Sequence, residues 1–226
     1  MLRLAPDPDQ ASRLTKRQVL AALARANRRN PEVVADQILT VLRAGELRQA
    51  PPVQAAFAAI IAAQVEVIAT LNDQIDTLGE VVADHFGRHP DAELITSLPG
   101  LGVILAARVL GEFGDDPSRY LDAKARKAYA GTAPITKASG TKKVVLARYA
   151  RNKRLGDALQ QWAFCSMRGF AGAKAYYKEL RARKIGHQVA VRQLANRWVG
   201  ILHGCLKTGQ PYNETTAWDH HTTAAA

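Results

Sequence analysis

A long helical pattern follows Pro51 and Pro52 and continues to about Phe86, with no further proline and no glycine before Gly79. Its seam residues recur at alternating steps of three and four, a heptad repeat with one polar member: Ile61, Gln64, Ile68, Leu71, Ile75, Leu78 and Val82. Such a narrow apolar stripe favours pairing with another helix, so residues 53–86 are predicted to form a homo-oligomerisation arm. Packing of the helix lengthwise on its own domain is the alternative, because the repeat lasts only about four heptads.

Positive charge is concentrated in one part of the chain. The 226 residues include 31 Lys and Arg but only 20 Asp and Glu, giving a formal net charge of +11. No acidic residue interrupts the basic block between Ala123 and Gly156, which holds Lys124, Arg126, Lys127, Lys137, Lys142, Lys143, Arg148, Arg151, Lys153 and Arg154. A block of one sign inside folded sequence favours a surface that binds phosphate groups. A merely basic surface is the alternative interpretation.

Residues 94–112 predict two helices joined by a tight Pro99-Gly100-Leu101-Gly102 turn. The pattern resembles the helix-hairpin-helix element of many nucleic-acid enzymes. Exposed N–H groups at the start of the second helix can hold an anion, and Gly100 and Gly102 would let a phosphate approach the backbone. An ordinary helix-helix turn, with glycines chosen for their backbone angles, is the alternative.

A polar loop at residues 131–143 follows a predicted helix from Ser118 to Ala130, and glycine and proline punctuate the loop. Val144–Leu146 could add one short strand. Helices are predicted again over 151–208, and the tail after Gly209 is predicted to be irregular. The sequence thus predicts a mainly α fold in three parts: short helices over 1–50, the coiled-coil-like arm over 51–90, and a compact helical domain over 91–226.

Four segments together resemble one protein family. They are Leu98–Gly102, Gly111–Asp115, Tyr129–Pro134 and Ala138–Lys143, and in this order and spacing they are similar to the C-terminal half of the IS110 type (IS110/IS116/IS902) of bridge-RNA-guided transposases. The resemblance covers the chain closely from about Leu94 to Trp218. The long helix before that region resembles the coiled-coil linker of the same family.

The resemblance implies a catalytic role for Ser139. The family's nucleophile is a serine in the loop that matches Ala138-Ser139-Gly140, and it would form a covalent phosphoserine link to DNA. In the family, a RuvC-like nuclease domain with four acids holds magnesium. No strand-rich acidic segment precedes the linker here, so we expect no cofactor on this chain and a Mg²⁺ site supplied by the RuvC-like domain. DNA and a structured guide RNA are the partners that the family implies.

The residues around Ser139 fit this role without requiring it. A serine hydroxyl is a weak nucleophile unless a base or a metal activates it, and no carboxylate or histidine lies nearby in sequence. Lys137, Lys142 and Lys143 could neutralise charge on a transferring phosphoryl group, and Gly140 would permit its approach. An ordinary turn serine is the alternative. The predicted nucleic-acid contacts are Gly100, Gly102, Lys137, Gly140, Lys142, Lys143, Arg148, Arg151, Lys153 and Arg154, and no metal ligand is predicted.

Three functions compete at this stage. The first is a transposase polypeptide that cuts and joins DNA through Ser139. The second is a non-catalytic DNA- or RNA-binding protein that uses the helix-hairpin-helix and the basic block. The third is an adaptor that acts only through the heptad helix. Without a signal-peptide pattern or a run of about 18 uninterrupted apolar residues, the chain is expected to be cytoplasmic, nucleoid-associated and not membrane-bound.

Overall fold

The computed structural model describes residues 1–44 and 49–222, with side chains described up to Trp218. The described residues form α-helices, one short 3-10 helix and a two-stranded antiparallel sheet, so the prediction of a mainly α fold with one short β element is confirmed. The chain divides into two compact units, Met1–Leu78 and Gly79–Ala226. The boundary between the two units falls inside the long helix. Within the predicted 1–50 segment, residues 45–48 lie outside the described residues.

The first unit contains three short helices and the start of the long one. These are α1 (Pro8–Ser12), α2 (Lys16–Arg25), α3 (Pro31–Arg43) and α4 (Pro51–Gly87). Thr15 and Gln18 form a capping box at the start of α2, in which each side chain bonds the other residue's backbone N–H. The buried faces of α2 and α3 meet in a small core that includes Val19, Leu23 and Leu39.

Helix α4 is continuous over 37 residues, as its pattern predicts. Its seam is exposed: Ile68, Leu71, Ile75 and Leu78 each leave more than half of their surface open to solvent. These side chains therefore do not pack lengthwise on the first unit. By length and composition alone, α4 could also cross a membrane, since an 18-residue window has a mean hydropathy of 1.7. The mean hydropathy of this segment is therefore high even though polar residues interrupt its apolar run.

The second unit is built around two long helices. Its elements are α5 (Ala92–Thr96), α6 (Val103–Phe113), α7 (Ala123–Tyr129), β1 (Ile135–Ser139), β2 (Lys142–Leu146), α8 (Lys153–Ser166), α9 (Ala171–Ala182), α10 (His187–Thr208) and α11 (Glu214–Thr222). Trp162 of α8 and Trp198 of α10 stack in its core, with ring centroids 5.5 Å apart. Both indole N–H groups are satisfied, Trp162 by the Pro99 carbonyl and Trp198 by the Ser166 hydroxyl, each at 2.8 Å.

The single helix predicted from Ser118 to Ala130 is wrong. A 3-10 turn at Pro117–Arg119 is followed by extended backbone at Tyr120, and Asp122 then caps the start of α7. The break lets the Tyr120 ring enter the core, where its hydroxyl donates to the Phe113 carbonyl at 2.9 Å. Tertiary packing of one aromatic ring thus overrides the local helical pattern.

The tail is also more regular than predicted, because α11 follows Gly209. The Glu214 carboxylate accepts hydrogen bonds from the Gly172 N–H at 2.6 Å and from the Tyr212 hydroxyl at 2.5 Å. The Trp218 ring lies so close to Gly172 that a Cβ atom there would come within 2.4 Å of it. Contacts with α9, distant in sequence, hold this helix in place.

Candidate nucleic-acid interface

The predicted serine loop is largely a β-hairpin. Strands β1 and β2 pair in antiparallel register, with Ile135 opposite Leu146 and Ser139 opposite Lys142. Gly140 and Thr141 form the two-residue turn, and Gly140 takes a φ of +55°. Glycine at the first position of such a turn matches the right-handed twist of the strands. Only the tip of the predicted 131–143 loop is therefore irregular, together with its entry at Gly131–Pro134.

The register decides which side chains share a face with Ser139. Side chains alternate along a strand, and directly paired residues lie on the same side of the sheet. Ser139, Lys137 and the paired Lys142 therefore occupy one face, whereas Lys143 pairs with Ala138 on the other. We name the group Lys137, Ser139 and Lys142 the serine face. The sequence alone placed all three lysines around the serine, and the pairing separates Lys143 from them.

The hairpin is exposed along nearly its whole length. Every residue of β2 is exposed, and in β1 only Ile135 is partly covered. In the part of the chain that the structure describes, no carboxylate pairs with Lys137, Lys142 or Lys143, and no side chain bonds the Ser139 hydroxyl. The serine face is thus a protruding cationic surface that an approaching phosphate can reach. The exposed β2 residues Val144 and Leu146 add apolar surface on the same side of the hairpin as Ser139, and Val145 is exposed on the opposite side.

Two arginines connect the hairpin to the helical core. The Arg148 Nε donates to the Ala133 carbonyl at 3.4 Å, which joins the chain leaving β2 to the chain entering β1. The Arg151 side chain lies against Gly131 and Gly156, and a Cβ at Gly131 would approach its Cβ and Cδ within 2.4 Å. Gly131 also has a φ of +69° and ends α7 as predicted. Arg148 and Arg151 therefore position the hairpin base as well as adding charge.

The start of α8 holds the remaining two predicted contacts, Lys153 and Arg154. Asn152 caps the helix by accepting from the Arg154 and Leu155 N–H groups. Arg154 is paired with Glu112 at 2.8 Å, so part of its charge is neutralised within the protein. Lys153 remains exposed at the first position of the helix.

Glu112 is a structural residue that the sequence reasoning did not single out. Its carboxylate is largely covered and accepts from the Asn152 amide at 2.5 Å as well as from Arg154. It therefore ties α6 to the capping residue of α8. A signal in the sequence could have identified Glu112, because this acidic residue lies between Gly111 and Phe113 in a largely apolar helix.

The two glycines of the predicted helix-hairpin-helix have different environments. Gly100 has a φ of +85°, and a Cβ there would lie 2.7 Å from the Ser166 backbone nitrogen of α8. Internal packing therefore explains why glycine is required at position 100. Gly102 precedes α6 with an ordinary φ of −73°, without a side-chain cap, and with open space around it. Of the two, Gly102 lies where a phosphate could approach the free N–H groups of α6.

An aromatic cluster fixes the helix that leads into the hairpin. Arg126 of α7 is buried, with its guanidinium 4.7 Å from the Tyr120 ring centroid and 5.3 Å from that of Phe113. Burial lowers the pKa of Arg126 and raises the pKa of Tyr120. After α7, the Thr132 hydroxyl bonds the Lys127 carbonyl and the Asn196 side chain. Arg126 in the basic block is therefore a core residue and not a surface cation.

The acidic and histidine side chains of the described residues bear on whether this part of the chain could hold magnesium. Among the residues that the structure describes, no three His, Cys, Asp or Glu side chains are grouped so that they could hold a metal ion. His89, one of two histidines near the end of α4, accepts the Asp91 N–H through Nδ1 at 3.1 Å. The described residues thus do not fit a Mg²⁺ site.

Comparison with known proteins locates this region in a family. The model of the transposase IS116/IS110/IS902 family matches residues 92–178, which include α5 to α8, the hairpin and most of α9. A mini-circle transposase candidate for IS117 from Streptomyces coelicolor is 41% identical over 229 residues, covering 100% of this chain and 55% of the relative.

Two further relatives come from other insertion elements. An uncharacterised 42 kDa protein of IS900 from Mycobacterium paratuberculosis is 31% identical, over 97% of this chain and 53% of its own length. An uncharacterised 43.6 kDa protein of IS110 from Streptomyces coelicolor is 35% identical over 55% of this chain and 31% of its own length. The chain thus spans about half the length of the two relatives that it matches almost completely.

Proposed function

The chain belongs to the IS116/IS110/IS902 family of transposases, and from that premise we propose that it supplies the serine nucleophile for DNA strand cleavage and joining. The nucleophile is Ser139. The observation that carries this proposal is the serine face, where Ser139 is exposed beside Lys137 and its cross-strand partner Lys142.

The chemistry requires a phosphodiester to reach the hairpin tip. A bond forms between the Ser139 Oγ and phosphorus while the bond from phosphorus to the leaving deoxyribose oxygen breaks. The hydroxyl proton passes to a base, and the leaving oxygen gains a proton. Lys137 and Lys142 stabilise the charge on the non-bridging oxygens, because ammonium groups near a developing negative charge lower the barrier.

Activation of the serine comes from outside the described residues. The serine face contains two cations and no base, and the described residues do not fit a metal site. We propose that the RuvC-like domain of the family supplies this function, and that DNA and a structured guide RNA are the partners. A cytoplasmic, nucleoid-associated location follows from these partners. Lys143, Arg148, Arg151 and Lys153 extend the cationic surface beyond the serine face.

The experiment compares Ser139→Ala with Thr141→Ala. Both remove one exposed hydroxyl from the hairpin tip, and only the first removes the proposed nucleophile. In a reaction supplied with the nuclease domain, guide RNA and substrate DNA, Ser139→Ala is expected to abolish covalent attachment of DNA to the protein, whereas Thr141→Ala retains it. Full attachment by Ser139→Ala refutes the proposal.

A non-catalytic nucleic-acid-binding role is the second candidate, favoured by one observation. The hairpin lysines have no ion-pair partner among the described residues, so they are available to phosphates even if no bond is cut. In that case binding falls steeply with salt, because each neutralised phosphate releases counterions, and no covalent product forms in any variant.

A further inference from the structure

A separate cavity lies in the second unit, between α7, α10 and the segment that leads into α11. Its volume is about 830 Å³, which is within the range of small-molecule sites. Lys127 enters from α7, Arg197 and Gly204 from α10, and Tyr212 from the following segment. None of its lining residues belongs to the hairpin or to the start of α8. Most of them also lie beyond residues 92–178, which the family model matches.

Two cations line this cavity, and none of its described lining residues is acidic. The residues that line it include Lys127 and Arg197 but no Asp or Glu. Burial lowers the pKa of Lys127, and the Arg197 guanidinium lowers it further. Two acids adjoin lining residues in sequence and are engaged elsewhere: Asp122 accepts from the Ala125 N–H, and Glu214 is bonded to Gly172 and Tyr212. The two cations thus repel each other in a partly dry site, an arrangement that a bound anion would stabilise.

Arg197 is held in position and keeps one donor unused. Its Nη2 donates to the Ala217 carbonyl at 2.6 Å, and its guanidinium lies 5.3 Å from the Trp218 ring centroid. Its Nε is buried and has no hydrogen-bond partner in the described part of the chain. A buried donor without a partner costs stability, and an anion bound beside the guanidinium offsets part of that cost.

Gly200 of α10 leaves room for the Lys127 side chain. The Lys127 Cε and Nζ lie so close to Gly200 that a Cβ there would come within 2.9 Å of both. One helical turn further on, Gly204 has no atom within 4 Å of its Cβ position. The α10 wall of the cavity is therefore open where a larger residue would fill it.

The rest of the lining includes both polar and apolar residues, which narrows the kind of anion. Thr208, Gln210, Asn213 and Thr216 are polar, whereas Ile201, Pro211, Tyr212 and Ala217 are apolar, and we call these last four residues the apolar wall. The cavity is much larger than a phosphate ion, and a ligand that fills it needs a charged group for the cations and a flat apolar part for this wall. We propose that the cavity binds a nucleotide, with its phosphate at Lys127 and Arg197 and its base against the apolar wall.

The phosphate and base that bind in the cavity can come from either of two ligands. One is a free nucleotide, and the other is a nucleotide extruded from a single strand of nucleic acid. The test titrates the chain with AMP, with inorganic phosphate and with a short single-stranded oligonucleotide, using calorimetry. AMP is expected to bind more tightly than phosphate, because only AMP also contacts the apolar wall. An AMP affinity equal to that of phosphate, or no AMP binding, overturns the proposal.

Two variants locate the binding. Lys127→Gln removes one cation and is expected to weaken AMP binding about tenfold or more, a loss typical of a charge-assisted hydrogen bond. Gly204→Leu fills the cavity at a position with free space and is expected to abolish AMP binding while the helix is retained. Lys178→Gln on exposed α9 and Gly87→Leu at the open end of α4 are the charge-matched and size-matched controls.

The outcomes separate the sources from each other and from the hairpin proposal. If Gly204→Leu weakens oligonucleotide binding together with AMP binding, the nucleotide comes from a strand. If only AMP binding is lost, the ligand is a free nucleotide. AMP binding that is unchanged in both Lys127→Gln and Gly204→Leu refutes the site. Ser139→Ala leaves AMP binding unchanged, so failure of one proposal does not imply failure of the other.

Discussion

Single residues in the second unit hold positions that few other side chains could occupy. Gly100 combines a positive φ with close contact to the α8 backbone, and Glu112 joins α6 to the cap of α8. Both lie in segments that resemble the transposase family, and both have a structural explanation. Such residues keep the helices in the positions from which the hairpin projects.

Replacement of Gly100 tests this packing. Gly100→Ala is expected to lower the free energy of unfolding by about 2 to 4 kcal/mol, because the new Cβ meets the Ser166 nitrogen and alanine disfavours a positive φ. Urea unfolding followed by circular dichroism measures the change. Gly102→Ala is the control and is expected to cost less than about 1 kcal/mol, since its space is open. Equal losses in the two variants would contradict the packing argument.

A second prediction at this scale concerns His203 of α10. Burial lowers the pKa of the His203 side chain. The positive charges of Arg126, Lys207 and Lys127 lower this pKa further, whereas the negative charge of Asp122 raises it. The unfolded chain therefore takes up its proton at a higher pH than the folded chain, near the ordinary value of about 6.5. Stability is expected to fall as pH drops below about 6.5, until the lower folded pKa is passed.

Urea unfolding between pH 5 and pH 8 measures this dependence. His203→Gln is expected to remove part of the slope, because glutamine does not titrate. His187→Gln serves as the control, since His187 is exposed and bonded to the Tyr177 hydroxyl. A slope that disappears with His187→Gln and persists with His203→Gln would refute the assignment.

At the scale of whole elements, α4 leaves an apolar seam exposed on a helix of 37 residues. We expect the chain to self-associate through this seam, because burying such a stripe against a second copy removes apolar surface from water. Ile75→Glu is expected to raise the dissociation constant of the oligomer at least about tenfold, and Gln74→Glu, beside the seam, to leave it nearly unchanged. Sedimentation equilibrium measures both. A wild-type chain that stays monomeric at the highest concentration would rule out the arm.

Elements with local signals were predictable, and those with distant partners were not. The long helix α4 follows from apolar residues three or four positions apart and from the absence of internal proline after Pro52, so its helical course was predicted correctly. The break at Tyr120 depends on a core contact with Phe113, and α11 depends on Gly172 of α9. Pattern reasoning over neighbouring residues cannot detect such contacts.

In the candidate site too, features with local sequence signals were predictable and features that depend on distant residues were not. The family resemblance pointed to Ser139, whereas charge and β-branched residues, which are local signals, indicated the nearby lysines and the strand at Val144–Leu146. Residues 131–143 were predicted to be a loop, since short polar β1 has no pattern of its own and becomes a strand only by pairing with β2. The register, which separates Lys143 from Ser139, required the structure. The nucleotide cavity left no sequence signal, because its lining residues come from distant elements.

In the molecule as a whole, the hairpin tip of this transposase-family chain carries Ser139 beside Lys137 and Lys142, and neither lysine has an ion-pair partner among the described residues. From that geometry and the family, we propose that Ser139 performs the cleavage chemistry. Basic surface alone would give salt-dependent binding and no covalent product.

The most direct measurement maps the residue that becomes joined to DNA. The chain is incubated with substrate DNA, guide RNA and the nuclease domain, the products are digested with nuclease and protease, and peptides are sequenced by mass spectrometry. We expect a nucleotide joined through a phosphoester to Ser139, in the peptide that contains Gly140 and Thr141. A nucleotide on any other residue, or cleaved DNA without a protein-linked product, would contradict this proposal.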